Sequence, residues 1–135
     1  GIQGWFLKRL GCFSINQLSP SLSTLRHAIE LIEKGEQLVV FPEGKINKNG
    51  KKLVLKEGLY RLAKLATKKK ESIIIIPIGI AYSNLSPKFR SQFCLSFGQP
   101  ISMNDCLKIS IKEFNNLLHE KMIKAEKIAL KNVGR

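Results

Sequence analysis

A chain of 135 residues, 44% of them hydrophobic, has the size of one domain or most of one and can bury a core. The three cysteines, Cys12, Cys94 and Cys106, are odd in number and widely spaced, which argues against a disulfide framework or a zinc knuckle and fits a reducing cytoplasm. The formal charge of +13 is concentrated in one stretch, where Lys45, Lys48, Lys51, Lys52, Lys56, Arg61, Lys64, Lys68, Lys69 and Lys70 are accompanied by Glu57 as the only acid. Such a block attracts polyanions, either nucleic acid or an anionic lipid surface, and composition does not choose between them; a solvated lysine-rich face is the plain alternative.

Gly1 stands where a Met would open a reading frame, and no signal-peptide pattern follows it, so the chain reads as a piece of something longer. Trp5, Phe6, Leu7 and Leu10, with Lys8 and Arg9 among them, predict a short amphipathic helix closed by Gly11. Cys12 to Ile15 is a short strand candidate. Ser19 before Pro20 marks a helix start, and Leu22, Leu25, Ile29 and Ile32 recur at helical spacing until Gly35 stops them. Gln37 to Phe41 is apolar and β-branched enough to predict a buried strand, ended by Pro42 and Gly44.

Beyond the lysine-rich stretch, Leu59, Leu62, Ala63 and Ala66 predict a second amphipathic helix, with Lys68 to Lys70 suited to its C-terminus. Ile73 to Tyr82 is nearly continuous apolar sequence, the pattern of a central strand covered on both faces. Its apolar core is far short of the ~20 residues that span a bilayer as a helix. Gln92 to Phe97 predicts another strand, broken by Gly98 and Pro100. Ser110 to Glu113 forms a capping box ahead of Ile111, Phe114, Leu117 and Leu118, and the chain closes on a long helix. Strands alternating with helical patterns predict an α/β layered fold.

The residues Phe41, Pro42, Glu43 and Gly44 follow a predicted strand, the place where ligands commonly bind in α/β sheets. A carboxylate there can accept hydrogen bonds from a hydroxylated ligand, and the glycine lets that ligand approach the backbone. An ordinary turn with an exposed Glu is the bland alternative. A given tetrapeptide of this composition arises by chance in roughly one chain in a thousand of this length.

Phe-Pro-Glu-Gly after an apolar strand resembles the third signature block of the phospholipid and glycerol-phosphate acyltransferase family, which includes the lysophosphatidic acid acyltransferases. Gly11 to Gln17 resembles the second block, and Ile76, Pro77 and Ile78 the fourth. The step Lys56, Glu57, Gly58 into an Ala-rich helix and the ending Phe97 to Ile101 are similar to the family as well. The resemblance implies a layered mixed sheet flanked by helices, incomplete at the N-terminus, with residues 1–135 as the C-terminal portion of a single acyltransferase domain. It implies acyl transfer from a thioester, acyl-CoA or acyl carrier protein, to the hydroxyl of a glycerol-phosphate or lysophospholipid acceptor, as in a 1-acylglycerol-3-phosphate O-acyltransferase. Substrate contacts are then expected from Asn16 and Gln17, from Phe41, Pro42, Glu43, Gly44 and Lys45, and from Pro77, with no metal and no cofactor. The expected setting is the cytoplasmic face of a membrane, with this segment peripheral to an anionic surface and no nucleic acid bound.

In the family the first block, a histidine followed after four residues by an aspartate, supplies the catalytic pair. Here the only histidines are His27 and His119, and the matching positions are Ile32 and Lys124, so no catalytic residue is assigned and the segment alone is expected to be inactive. Both histidines read as surface or boundary residues of their helices. Gln17 stands where the second block usually ends in Arg, and Lys45, Ile46 and Asn47 replace the common Thr-Arg-Ser after the third. Lys45 can restore one positive charge as a point cation, or the acceptor is a different lysolipid.

Other chemistries fit less well. Gly44, Gly50 and Lys51 have the wrong spacing for a phosphate-cradling loop, with Lys52 where Ser or Thr is needed, and no Gly-x-Ser-x-Gly nucleophile elbow occurs. A non-catalytic basic module binding nucleic acid or an anionic membrane is the main alternative. The basic stretch is lysine-dominated, with Tyr60 its only aromatic, which suits a lipid surface better than base reading.

Overall fold

The computed structural model covers residues 1–12, 21–44, 54–86 and 88–135 in describable form, and divides into two compact units, Gly1–Val39 and Val40–Arg135. Most of the second block, including Asn16 and Gln17, lies outside the described residues, as do Lys45 to Leu53, Pro87 and the strand candidate beyond Cys12.

In the first unit α1 spans Ile2–Arg9 and α2 spans Leu22–Glu33. Gly11, at φ +84°, stops α1 as its position predicts, while the Gly11 and Cys12 N–H groups donate back to the carbonyls of Lys8 and Leu7. The start of α2 is two residues later than Ser19 suggests. Ser21 is the N-cap, because its extended backbone turns Oγ to accept from the Thr24 N–H at 3.2 Å. Gly35, at φ +81°, ends the helix, and the Glu36 N–H closes the motif on Leu31 at 2.9 Å.

The predicted buried strand at 37–41 is not one. The segment makes no ladder pairing, and Val39 and Phe41 are 78% and 68% exposed. Among the described residues no strand pairs with it to take up its backbone donors and acceptors.

The second unit is built on α4, Ile111–Asn132, whose Phe114, Leu118, Ala125 and Ala129 share one buried face. Ser110 caps it as predicted, its Oγ accepting from the Glu113 N–H at 3.1 Å. Against α4 pack α3 (Gly58–Ala66) and a hairpin of β2 (Ile78–Tyr82) and β3 (Phe93–Phe97), antiparallel with Ile80 opposite Leu95. A second antiparallel pair, β1 (Ile74–Ile75) with β4 (Ile101–Ser102), continues the two arms beyond a break at Pro77 and Pro100. Met103, Phe114 and Leu118 are the largest fully buried side chains. The Tyr60 ring tilts against Phe114 at 5.1 Å, and its hydroxyl donates to the Ile109 carbonyl at 2.9 Å.

The run 73–82 therefore forms two strands rather than one, since Pro77 has no N–H to give a ladder. Among the described residues it is also covered on one face only. Gly79 and Ala81 are buried toward α4, while Ile78, Ile80 and Tyr82 face outward with Phe93, Leu95 and Phe97 of β3. Helix and strand are mixed as expected, in small sheets flanked by helices; both sheets are two-stranded and antiparallel among the described residues.

Candidate functional site

Phe41 to Gly44 form a tight turn closed by the Gly44 N–H donating to the Phe41 carbonyl at 3.1 Å. Pro42 occupies its second position, where the fixed φ of proline is already suited to turning, and Gly44 follows Glu43 with φ +68°, a conformation that glycine adopts without strain. The sequence thus explains the turn locally. Its placement is a tertiary matter: the Pro42 carbonyl accepts from the Lys56 N–H at 2.7 Å, just ahead of α3.

That bond ties the turn to the core. Leu55, next to Lys56, is buried, and its carbonyl meets Asn115 Nδ2 of α4 at 3.5 Å, a long contact. Pro42 is buried, whereas Glu43 and Gly44 are half-buried. The ion pair seen among the described residues joins Arg61 to Glu57 at 2.8 Å, leaving the Glu43 carboxylate outside it. A half-exposed carboxylate on an anchored turn can accept hydrogen bonds from the hydroxyls of a ligand.

Four of the sequence-derived site residues, Phe41, Pro42, Glu43 and Gly44, are contiguous in this turn. Pro77 is not part of this turn: it is buried at the break between β1 and β2, and its carbonyl accepts from the Gly98 N–H at 2.8 Å. Lys45, Asn16 and Gln17 lie outside the described residues. His27 is exposed on α2 and His119 half-buried on α4, in keeping with their reading as surface or boundary residues.

Two contributors escaped the sequence reading. Lys56 stood out only for its charge and for the step into α3, yet its backbone N–H holds the turn. Asn115 gave no signal, being one polar residue in an amphipathic helix; its Oδ1 is buried without a hydrogen-bond partner among the described residues. Around α3 the side chains of Lys56, Arg61, Lys64, Lys68 and Lys69 are exposed, and Lys64 Nζ sits 5.7 Å from the Tyr60 ring centroid. Lys68 to Lys70 follow the end of α3 rather than lying within it. Among the described residues no three His, Cys, Asp or Glu side chains are grouped to hold a metal ion, and no helix is long and apolar enough to cross a membrane.

Comparison with known proteins gives two curated relatives. The chain is 27% identical over 112 residues to a 1-acyl-sn-glycerol-3-phosphate acyltransferase of Streptococcus pneumoniae, covering 81% of this chain and 39% of that protein. It is 28% identical over 81 residues to the chloroplastic 1-acyl-sn-glycerol-3-phosphate acyltransferase LPAT1 of Arabidopsis thaliana, covering 58% of this chain and 21% of that protein. The chain thus spans well under half the length of these relatives. No solved structure matches significantly. Residues 1–81, which include the Phe41–Gly44 turn and end within β2, match the family model described as Acyltransferase, and the chain belongs to that family.

Proposed function

We propose that the complete protein transfers a fatty acyl group from an acyl thioester to the hydroxyl of a glycerol-phosphate or lysophospholipid acceptor in phospholipid biosynthesis, this chain supplying the acceptor side of the site. The observation that carries the reading is the family match over residues 1–81, with the anchored Glu43 turn inside it. The acceptor hydroxyl gives its proton to a general base and attacks the thioester carbonyl. The tetrahedral intermediate then collapses to the new ester and expels the thiolate of acyl-CoA or acyl carrier protein.

Glu43 accepts hydrogen bonds from the acceptor, and Lys45 serves as a point cation for its phosphate. The base and its orienting carboxylate come from a His-x-x-x-x-Asp outside these residues. General-base help is typically worth ~100-fold to 10,000-fold, so the segment alone is nearly inert. The cations around α3 hold the segment peripherally at an anionic cytoplasmic leaflet, contributing about 1 kcal/mol for each one near the surface. The layered mixed sheet belongs to the same proposal, segment 37–41 being where a further strand joins.

The test is an assay of the full-length protein with 1-acylglycerol 3-phosphate and a labelled acyl-CoA or acyl carrier protein. Diacylated product is expected from at least one donor, and none from residues 1–135 alone. Failure of the full-length protein with both donors and with other lysophospholipids overturns the reading, whereas turnover by the segment overturns the assignment of the base elsewhere.

A further inference from the structure

The connection between β2 and β3 carries Leu85 and Phe89 at 91% and 92% exposure, beyond every other large apolar side chain among the described residues. Its sequence from Ser83 to Gln92 has no acid and two cations, Lys88 and Arg90, both exposed. The neck is closed by the Ser83 N–H donating to the Gln92 carbonyl at 2.9 Å and the Gln92 N–H donating to Ser83 Oγ at 3.2 Å. A second closure, from the Ser91 N–H to the Lys88 carbonyl at 3.0 Å and from the Lys88 N–H to Ser91 Oγ at 2.8 Å, shapes the outer turn.

Arg90, in third position of that turn, holds φ +67°, a left-handed conformation costly for a residue with a Cβ. Its guanidinium lies 5.5 Å from the Phe89 ring centroid. Behind the turn, the paired Tyr82 and Phe93 rings, 6.4 Å apart, are both exposed. Apolar side chains, cations and an aromatic pair are thus gathered at one end of a hairpin whose other face is fastened to α4.

We infer that this hairpin end inserts into the interface of an anionic membrane, seating Leu85 and Phe89 at the acyl-chain boundary with Lys88 and Arg90 on lipid phosphates. The inference rests on the membrane-surface reading above but assigns the contact to a different element from the lysine-rich stretch. A protein partner of ordinary affinity buries about 800 Å² on each side with matched shape, more than two side chains on a narrow tip present. A leaflet demands no shape, and a charge balance with cations alone is complementary to it. Tyr82 and Phe93 then fall at the level where aromatic rings favour the headgroups.

Vesicles of phosphatidylcholine and phosphatidylglycerol in equal parts, sedimented with the 135-residue chain, test the inference. The Leu85→Ser/Phe89→Ser variant should bind roughly tenfold or more weakly, because each apolar group loses its transfer energy. Its circular dichroism should not change, since neither side chain is packed. In Trp5→Phe/Phe89→Trp, the single Trp should shift to shorter wavelength on the vesicles and be quenched by brominated acyl chains. Binding by the serine variant equal to that of the parent, while Lys68→Ala/Lys69→Ala/Lys70→Ala loses it, overturns the inference and spares the membrane reading. No vesicle binding by the parent at low salt overturns both, and a Trp shift without vesicles, accompanied by dimerisation, assigns the tip to a second copy of the chain.

Discussion

Gly79 of β2 lies so close to Glu126 of α4 that a Cβ added to it would fall inside contact distance of the Glu126 and Ala125 backbone. The atoms met are main chain, which cannot swing aside. Gly79→Ala should therefore force the hairpin off the helix, costing about 1–3 kcal/mol or more as overpacking does. Urea unfolding checks this through a lower midpoint. Gly58→Ala is the contrasting case: nothing lies within 4 Å of a Cβ there and the residue opens α3, so stability should be unchanged or rise by up to ~1 kcal/mol.

Tyr60→Phe should keep the ring packed on Phe114 while removing the donor to the Ile109 carbonyl. The expected loss is about 0.5–1.5 kcal/mol, that of one partly buried hydrogen bond. Thermal unfolding of the variant against the parent measures it, and an unchanged midpoint would show that solvent satisfies the carbonyl equally well.

Glu43→Gln in the full-length protein should lower kcat/KM for the acceptor by about 10- to 100-fold, as loss of a charged hydrogen-bond partner does. Folding should be untouched, because the turn is closed by backbone bonds that the substitution leaves in place. Gly44→Ala acts through the backbone instead, placing a Cβ at φ +68° and costing about 1–2 kcal/mol. Full activity in Glu43→Gln, measured with saturating donor, would move the acceptor site out of this loop.

Burial, with the Asp105 carboxylate beside it, holds the Cys106 thiol above the ordinary thiol range. A folded-state pKa raised above the unfolded one contributes stability that is whole below the unfolded value and is lost as pH rises through the folded one. The denaturation midpoint should accordingly fall as pH is raised past the ordinary thiol range, and this part of the decline should vanish in Cys106→Ala. Alkylation at neutral pH should take exposed Cys12 first and Cys106 only on unfolding. Equal labelling rates for the two would contradict the packing.

Local chemistry carried much of this structure into the sequence. Gly11 and Gly35 end their helices because a left-handed residue was needed there, Ser110 caps α4 through its own hydroxyl, and Pro42 with Gly44 bends the chain that presents Glu43. Each depends on residues a few positions apart, so each was legible. What periodicity left undecided was which faces are covered. The apolar run 73–82 reads the same whether one layer or two lies over it, and only the packing of α4 against Gly79 and Ala81 decides which face of β2 is covered among the described residues. In the same way the sequence placed a carboxylate after Pro42, but the bond from Lys56, fourteen positions on, sets where it is held. Such a contact leaves no local trace, because a backbone N–H is common to every residue except proline and only the tertiary structure chooses its partner.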